Sequence, residues 1–254
     1  MNLSIHRKLL PILLVLLTFM GCDTKTENNS NAIDSPENGI ENPQNTASIH
    51  KINNSFSVAR YGLTDVQLLD SSIQVDLKYA SEDNFMHKRV YFALNKAYLQ
   101  QEVALRFVKC QQYLKRLNPN YSLLIYDAVR PLSVQKMMWK LLDSIPVAQR
   151  VKFVSNPKNG SVHNYAAAVD VTICDADGIA LDMGAGYDDI REIAYPNLEW
   201  KYLAIGELTQ IQVDNRKLLR QVMASQQFRN IPTEWWHFNA CSRDVAKVKY
   251  ELVY

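Results

Sequence analysis

An α+β domain, with a small central antiparallel or mixed sheet flanked by helices, is the fold class predicted over residues 57–254. Three observations carry the expectation. Apolar residues recur at helical spacing over 99–117 and 134–142, and a further helix is expected at about 214–226. Short β-rich runs stand among them: YSLLIY at 121–126, VDVTIC at 169–174 and TEWWHFN at 233–239. Helices and strands alternate irregularly, without the regular βα repeat of a parallel sheet.

The chain has 254 residues, 47% apolar and 21% charged, which suits one domain with a proper core and length to spare. The spare length is N-terminal. His6, Arg7 and Lys8 precede the apolar run Leu9 to Met20, a charged region and a hydrophobic region of signal-peptide length, too short to span a bilayer as a finished helix. Export to the periplasm or cell surface is expected. The run ends Phe19-Met20-Gly21-Cys22, which resembles a lipobox, where a small residue precedes a cysteine that receives lipid after cleavage. Phe19 departs from the usual leucine, and a plain secretory signal with a coincidental cysteine is the alternative. Residues 1–21 are thus expected as a lipoprotein-type signal and Cys22 as the lipidation site, attaching the protein to a membrane. Residues 22–56 are rich in Asn, Ser, Thr, Pro and Glu, with no aromatic residue until Phe56. Such a segment buries too little apolar surface to offset its ordering entropy and is read as a flexible tether.

Removing residues 1–21 takes away two of the 28 basic residues and none of the 26 acidic ones, leaving a formal charge of zero. No basic stripe marks the chain as a nucleic-acid binder.

Within the domain, Leu99, Val103, Phe107, Cys110, Leu114 and Leu117 form one helical stripe, with Asn95 as N-cap and Asn118-Pro119 as the stop. The strand at 121–126 leads into Asp127-Ala128-Val129-Arg130-Pro131. A second helix starts at Ser133 and places Val134, Met137, Met138, Leu141 and Leu142 on one face. After the strand at 169–174 comes a loop with Gly178, Gly184 and Gly186, then a short helix from Asp188 and the longer one from Asp214. Cys110, Cys174 and Cys241 follow Cys22, an odd count that allows at most one internal disulfide. Cys174 and Cys241 could face each other if their segments are neighbouring strands; buried free thiols are the alternative.

Of five histidines, only His87, His163 and His237 fall in the domain, and the helical HExxH signature is absent. Ligands of any metal therefore come from separated segments. His163 and Asp170, in SVHNYAAAVD, would lie about 23 Å apart along a strand or about 10 Å apart along a helix. They share a metal only if the chain folds back between them. Ala166-Ala167-Ala168 allows close packing there, but alanine lacks glycine's freedom at positive φ. Glu234 and His237, in EWWH, are three apart and would face opposite sides of a regular strand; a bulge or bend is needed to join them. A carboxylate beside activated water is what a hydrolase needs as general base. Taken singly, each residue has a plainer reading: a hydrogen-bonded strand histidine, a packing tryptophan pair, and Arg130 in a surface salt bridge.

Taken in order, the motifs resemble those of a known family. SVHNYAAAVD resembles the SxHxxGxAxD motif, and EWWH the ExxWH or EWWH motif, of zinc D-Ala-D-Ala peptidases, most closely the VanX-type dipeptidases. DLKYASEDNF at 76–85, YDAVRP at 126–131 and LDMGAGYDD at 181–189 extend the likeness over nearly the whole domain. The resemblance implies a hedgehog/DD-peptidase-like fold and one zinc per chain held by His163, Asp170 and His237, with the fourth position open to water. It implies Glu234 as general base, Arg130 as stabiliser of the oxyanion, Asp188 as receiver of the substrate ammonium, and Tyr79 and Ser161 beside the substrate. Without it, Asp188 is an ordinary helix N-cap. The implied reaction is hydrolysis of D-Ala-D-Ala to two D-alanines in peptidoglycan turnover. The alternatives are a D,D-carboxypeptidase or muropeptide endopeptidase of the same fold, and a non-catalytic zinc-binding interaction domain. The main departure is Ala166, which stands where the motif has glycine and puts the geometry of the turn between the ligands in question.

Overall fold

The computed structural model describes residues 58–254; the expected signal, the Cys22 lipidation site and the tether lie outside the described residues. Five strands form the main sheet: β2 (Gln74–Val75), β4 (Ser122–Asp127), β5 (Ala168–Cys174), β6 (Arg229–Ile231) and β7 (Glu234–Asn239), in the order β2-β4-β5-β7-β6. β2 runs parallel to β4 and every other pairing is antiparallel, so the sheet is mixed as expected. β1 (Leu63–Asp65) and β3 (Tyr98–Gln100) form a separate antiparallel pair. β4 and β5 are buried at every position. Covered on both faces, they read as continuous β-branched and apolar runs and not as an alternation.

Four helices of seven residues or more lie among the described residues: α1 (Gln101–Leu117), α2 (Leu132–Leu141), α3 (Gln210–Ala224) and α4 (Arg243–Lys249). α1 packs on β4 and on α3, sinking Val103, Phe107, Cys110 and Leu114 into the core. Its start differs from the expectation. Asn95 does not cap it, because Tyr98–Gln100 is drawn into pairing with β1, and the Gln100 amide donates to the Ala166 carbonyl at 2.9 Å. α2 buries Val134 and Met138, but Leu141 is 39% exposed and leaves the expected face. α3 begins four residues before Asp214, because Thr209 and Gln212 form a reciprocal capping box that satisfies the first free amides.

No helix starts at Asp188. That residue has φ of 60°, outside helical space, and the next helical turn is Glu192–Ala194. The cysteines are also resolved: Cys110, Cys174 and Cys241 are free. β5 and β7 are antiparallel with Asp170 opposite His237, so four residues onward from each leads to opposite ends of the pair. Cys174 and Cys241 therefore diverge and no disulfide joins them.

Candidate active site

β4 delivers the chain to Asp127 and then to Arg130 at the edge of a cleft, and the segment carrying His163 lies against it. Residues Val162–Tyr165 form a single 3-10 turn capped by Ser161, whose hydroxyl accepts from the His163 amide while the Asn164 side chain accepts from the Ser161 amide at 2.7 Å. The turn closes at Ala166, which adopts the left-handed conformation, φ 52° and ψ 36°. This is the reversal that the spacing of His163 and Asp170 demands. An L-alanine there costs about 1–2 kcal/mol, and Ala166 takes the conformation that glycine takes freely.

After that reversal β5 brings Asp170 back beside His163, and pairing with β7 sets His237 opposite Asp170. His163 Nε2 lies 3.2 Å from Asp170 Oδ1 and 3.2 Å from His237 Nδ1, and His237 Nδ1 lies 2.9 Å from Asp170 Oδ1. The far nitrogens fix the tautomers. His163 Nδ1 is 2.6 Å from the Ala128 carbonyl and His237 Nε2 is 3.0 Å from Asn239 Oδ1, both acceptors, so each of those nitrogens carries the proton. His163 Nε2 and His237 Nδ1 then present lone pairs to each other and to a carboxylate oxygen. Three acceptors at these distances call for a cation. A tetrahedral ion with bonds of about 2.0–2.1 Å sets its ligand atoms roughly 3.3 Å apart, close to the spacing found. The same demand shows in His237: burial pulls its pKa down, but the Asp170 carboxylate outweighs burial and lifts it to about 8. Two imidazoles and a carboxylate, each held from behind, fit a divalent metal.

Glu234 joins the same side through a break in register. β6 and β7 slip between Asn230 and Ile231, and the Asn230 amide bridges the slip by donating to the carbonyls of Glu234 and His237, both at 2.8 Å. Two positions that should face apart are thereby turned together, with Glu234 Oε2 3.8 Å from His237 Nδ1. Burial raises the Glu234 carboxyl above its ordinary value, with His237 opposing the shift, which suits a group that must accept a proton.

Arg130 is buried, contrary to the surface reading. Its Nε and Nη2 donate to Asp127 Oδ2 at 2.9 and 2.6 Å, its guanidinium lies 5.2 Å from the centre of the Tyr79 ring, and Nη2 is 3.7 Å from Asp170 Oδ2. Asp127 is fixed in turn through Oδ1, which accepts from the Tyr91 hydroxyl at 2.7 Å and the Ala128 amide at 2.9 Å.

Asp188 stands at the other side of the cleft. Both its oxygens accept from the Tyr79 hydroxyl, at 3.2 and 3.1 Å. Burial first, and the Asp170 charge second, push its carboxyl well above the usual range. A carboxylate so placed is stabilised by an arriving cation. The eight site residues named from the sequence within the domain, His163, Asp170, His237, Glu234, Arg130, Asp188, Tyr79 and Ser161, line this one cleft of about 120 Å³. His87 lines a different cavity.

Sequence reasoning missed the residues that hold these in place. These are Asp127, Tyr187, Asn230 and Asn239. Tyr187 donates to Asp170 Oδ2 at 2.9 Å, fixing the oxygen turned away from the imidazoles. Adjacency was the available signal for two of them: Asp127 stands three residues before Arg130, and Tyr187 precedes Asp188.

With this geometry established, comparison with known proteins adds a family likeness. The family described as D-ala-D-ala dipeptidase matches residues 59–252. The chain is 31% identical over 176 residues to the D-alanyl-D-alanine dipeptidase of Escherichia coli (strain K12), covering 69% of this chain and 83% of that protein. It is 27% identical over 180 residues to the D-alanyl-D-alanine dipeptidase of Enterococcus faecalis (strain ATCC 700802 / V583), covering 65% and 85%. A third, from Streptomyces coelicolor (strain ATCC BAA-471 / A3(2) / M145), is 27% identical over 189 residues, covering 68% and 88%.

Proposed function

The chain belongs to the D-Ala-D-Ala dipeptidase family, and from that premise we propose that it is a zinc-dependent dipeptidase that hydrolyses D-Ala-D-Ala to two D-alanines. Its α+β architecture with a mixed sheet fits the hedgehog/DD-peptidase class. The observation that carries the reading is the convergence of His163 Nε2, Asp170 Oδ1 and His237 Nδ1 within 3.2 Å of one another, in a cleft shared with Glu234, Arg130 and Asp188.

Zinc held by those three residues supplies Lewis acidity, polarising a carbonyl and making water acidic enough to act near neutral pH. Glu234 takes the proton as the water oxygen bonds to the peptide carbonyl carbon. It gives that proton to the leaving amine as the carbon–nitrogen bond breaks, so the balance closes with one water consumed. Arg130, held by Asp127 and stacked on Tyr79, stabilises the negative charge that develops on the carbonyl oxygen. Its planar, permanently charged group suits that task. Tyr187 keeps Asp170 aimed at the metal position. Asp188, with the Tyr79 hydroxyl, receives the free ammonium, and Ser161 borders the substrate.

Asp188 sets the substrate class. A capped amine would leave a carboxylate desolvated and unpaired, a loss of several kcal/mol, so the free dipeptide is favoured over an acylated stem peptide. The purified zinc-loaded protein, offered D-Ala-D-Ala and N-acylated D-Ala-D-Ala, tests this. Preference for the free dipeptide supports the reading, whereas preference for the acylated compound assigns a D,D-carboxypeptidase or endopeptidase. Turnover no faster than that of Glu234→Ala would revive the non-catalytic alternative.

Residues 1–22 support an exported lipoprotein, tethered to a membrane through lipid on Cys22 and residues 22–56, at the periplasm or cell surface. In that setting the enzyme acts on dipeptide released in peptidoglycan turnover. Labelling with a palmitate analogue, lost on Cys22→Ala, checks the anchor.

A further inference from the structure

The loop that carries Tyr187 and Asp188 has neither helix nor strand across 184–190, only a turn at 187–188, and includes Gly184 and Gly186. Left to itself it would sample many conformations. Within it the Ala185 carbonyl accepts from Trp235 Nε1 at 3.1 Å and Tyr187 donates to Asp170, and one face of α3 holds its flank. Gln212 Nε2 donates to Asp182 Oδ2 at 2.7 Å, Asn215 Nδ2 donates to the Asp182 carbonyl at 2.8 Å, and Arg216 Nε donates to the Met183 carbonyl at 2.6 Å. Residues 212, 215 and 216 share that face through the i, i+3, i+4 spacing. The loop lies so close to α3 that a Cβ at Gly184 would run into Leu208 and Gln212.

Arg216 differs from its neighbours on that face because it reaches both ends of the loop. Nη1 donates to the Ile193 carbonyl at 2.9 Å while Nε holds Met183. The residue is 1% exposed, and its Nη2 has no hydrogen-bond partner. Its nearest anion, Glu199, is 3.7 Å away and already committed to Arg220 through two contacts of 2.7 Å. A buried guanidinium with so little compensation is costly, and an apolar side chain of similar volume would fill the space more cheaply. What such a side chain could not do is tie two carbonyls on either side of residues 184–192.

We propose that Arg216 is a positioning residue for substrate recognition, which clamps the loop at Met183 and Ile193 and so holds Asp188 where it receives the substrate ammonium. The proposal rests on the dipeptidase reading and extends it to a residue that lines no part of the cleft. Loss of the clamp lowers the fraction of enzyme with Asp188 in place, and apparent affinity falls by that fraction; bound substrate selects the ordered loop, with Tyr187 on Asp170, so kcat is spared.

The test uses the full zinc-loaded chain with Arg216→Met, Arg216→Lys, Asp188→Asn and the Arg216→Met/Asp188→Asn double variant. KM for D-Ala-D-Ala is expected to rise about tenfold in Arg216→Met, equivalent to about 1.4 kcal/mol, with kcat within about threefold of wild type. Arg216→Lys, which keeps the charge and can reach one carbonyl, recovers part of the loss. The double variant has a KM no higher than Asp188→Asn alone, because the two residues act through one contact. Amide exchange rises at 184–192 and stays slow in β5 and β7. An unchanged KM, multiplicative effects in the double variant, or unaltered exchange at 184–192 would overturn the proposal. If Arg216→Met does not fold, Arg216→Lys alone and with Asp188→Asn is judged by the same KM and exchange criteria. If the wild type leaves D-Ala-D-Ala intact, the dipeptidase reading fails, and the exchange comparison alone decides whether Arg216 holds the loop.

Discussion

Replacing Asp127 by asparagine probes how the site holds its arginine. The carboxylate is fully buried and takes four hydrogen bonds, two from Arg130 on Oδ2 and one each from Tyr91 and Ala128 on Oδ1. An asparagine amide puts an NH₂ on one side or the other, so a donor faces either the guanidinium or the Tyr91 and Ala128 donors. The negative charge is lost as well. Breaking a buried ion pair by removing one partner costs about 3–5 kcal/mol, and the retained oxygen argues for the lower end, about 3 kcal/mol. With a urea dependence of about 2 kcal/mol per molar, the unfolding midpoint of the zinc-loaded protein falls by about 1.5 M. The nearest remaining anion for Arg130 is Asp170 Oδ2, at 3.7 Å, which already accepts from Tyr187. Arg130 drawn to that oxygen leaves the developing oxyanion, and kcat falls about 100-fold, the lower bound for removing one such donor. Urea titration followed by fluorescence, with initial rates on D-Ala-D-Ala, measures both. A loss under about 1 kcal/mol with kcat within about threefold of wild type would refute the claim that Asp127 positions Arg130.

Four further outcomes are expected. Glu234→Gln lowers kcat by about 10²–10⁴ while zinc content by metal analysis stays the same, since Glu234 lies outside the three-donor set. Chelation, against a zinc excess of about a thousand times Kd, removes about 4 kcal/mol and lowers Tm by about 10 °C, read by calorimetry; an unchanged Tm counts against the metal. For pH, the raised Asp188 carboxyl is neutral below its folded pKa and gives the ammonium no charge, so KM rises as pH falls, starting above the ordinary carboxylate range near 4. Asp188→Asn removes that limb of the KM profile. At Ala166, glycine relieves about 1–2 kcal/mol of left-handed strain but gives up about 0.5–1 in chain entropy and about 0.8 in buried methyl. Ala166→Gly therefore stays within about 1 kcal/mol of wild type in urea unfolding, whereas Ala166→Val, β-branched in the same conformation, loses more than about 2 kcal/mol.

The long apolar patterns and the reactive residue types were legible in the sequence, because both are properties of single segments. The stripe of α1 and the continuous runs of β4 and β5 follow from one-dimensional periodicity. The start of α1 was not legible, because Tyr98–Gln100 pairs with β1, more than thirty positions earlier in the chain. The helix expected at Asp188 failed for a related reason. An aspartate at the start of Asp188-Asp189-Ile190-Arg191-Glu192 reads as a cap, but here the loop is held by α3 and by the Tyr79 hydroxyl, and its local preference is overruled. The cysteine pairing turned on strand direction, which spacing does not encode.

The proposed metal donors and base were legible only through the resemblance of their motifs, because each stands where regular geometry would keep it from its partner. Seven residues of regular strand or helix keep His163 and Asp170 apart, and three residues of regular strand turn Glu234 from His237. The structure departs from regular geometry at both places, through an alanine at φ 52° and through a register slip bridged by Asn230. Neither device adds a donor to the site, and both are held from outside it: the Gln100 amide donates to the Ala166 carbonyl, and Asn230 reaches β7 from β6. The motif residues can therefore be read from the chain while their supports cannot. The supports are carbonyls and amides brought in by partners elsewhere in the fold, and any side chain of suitable reach could hold them.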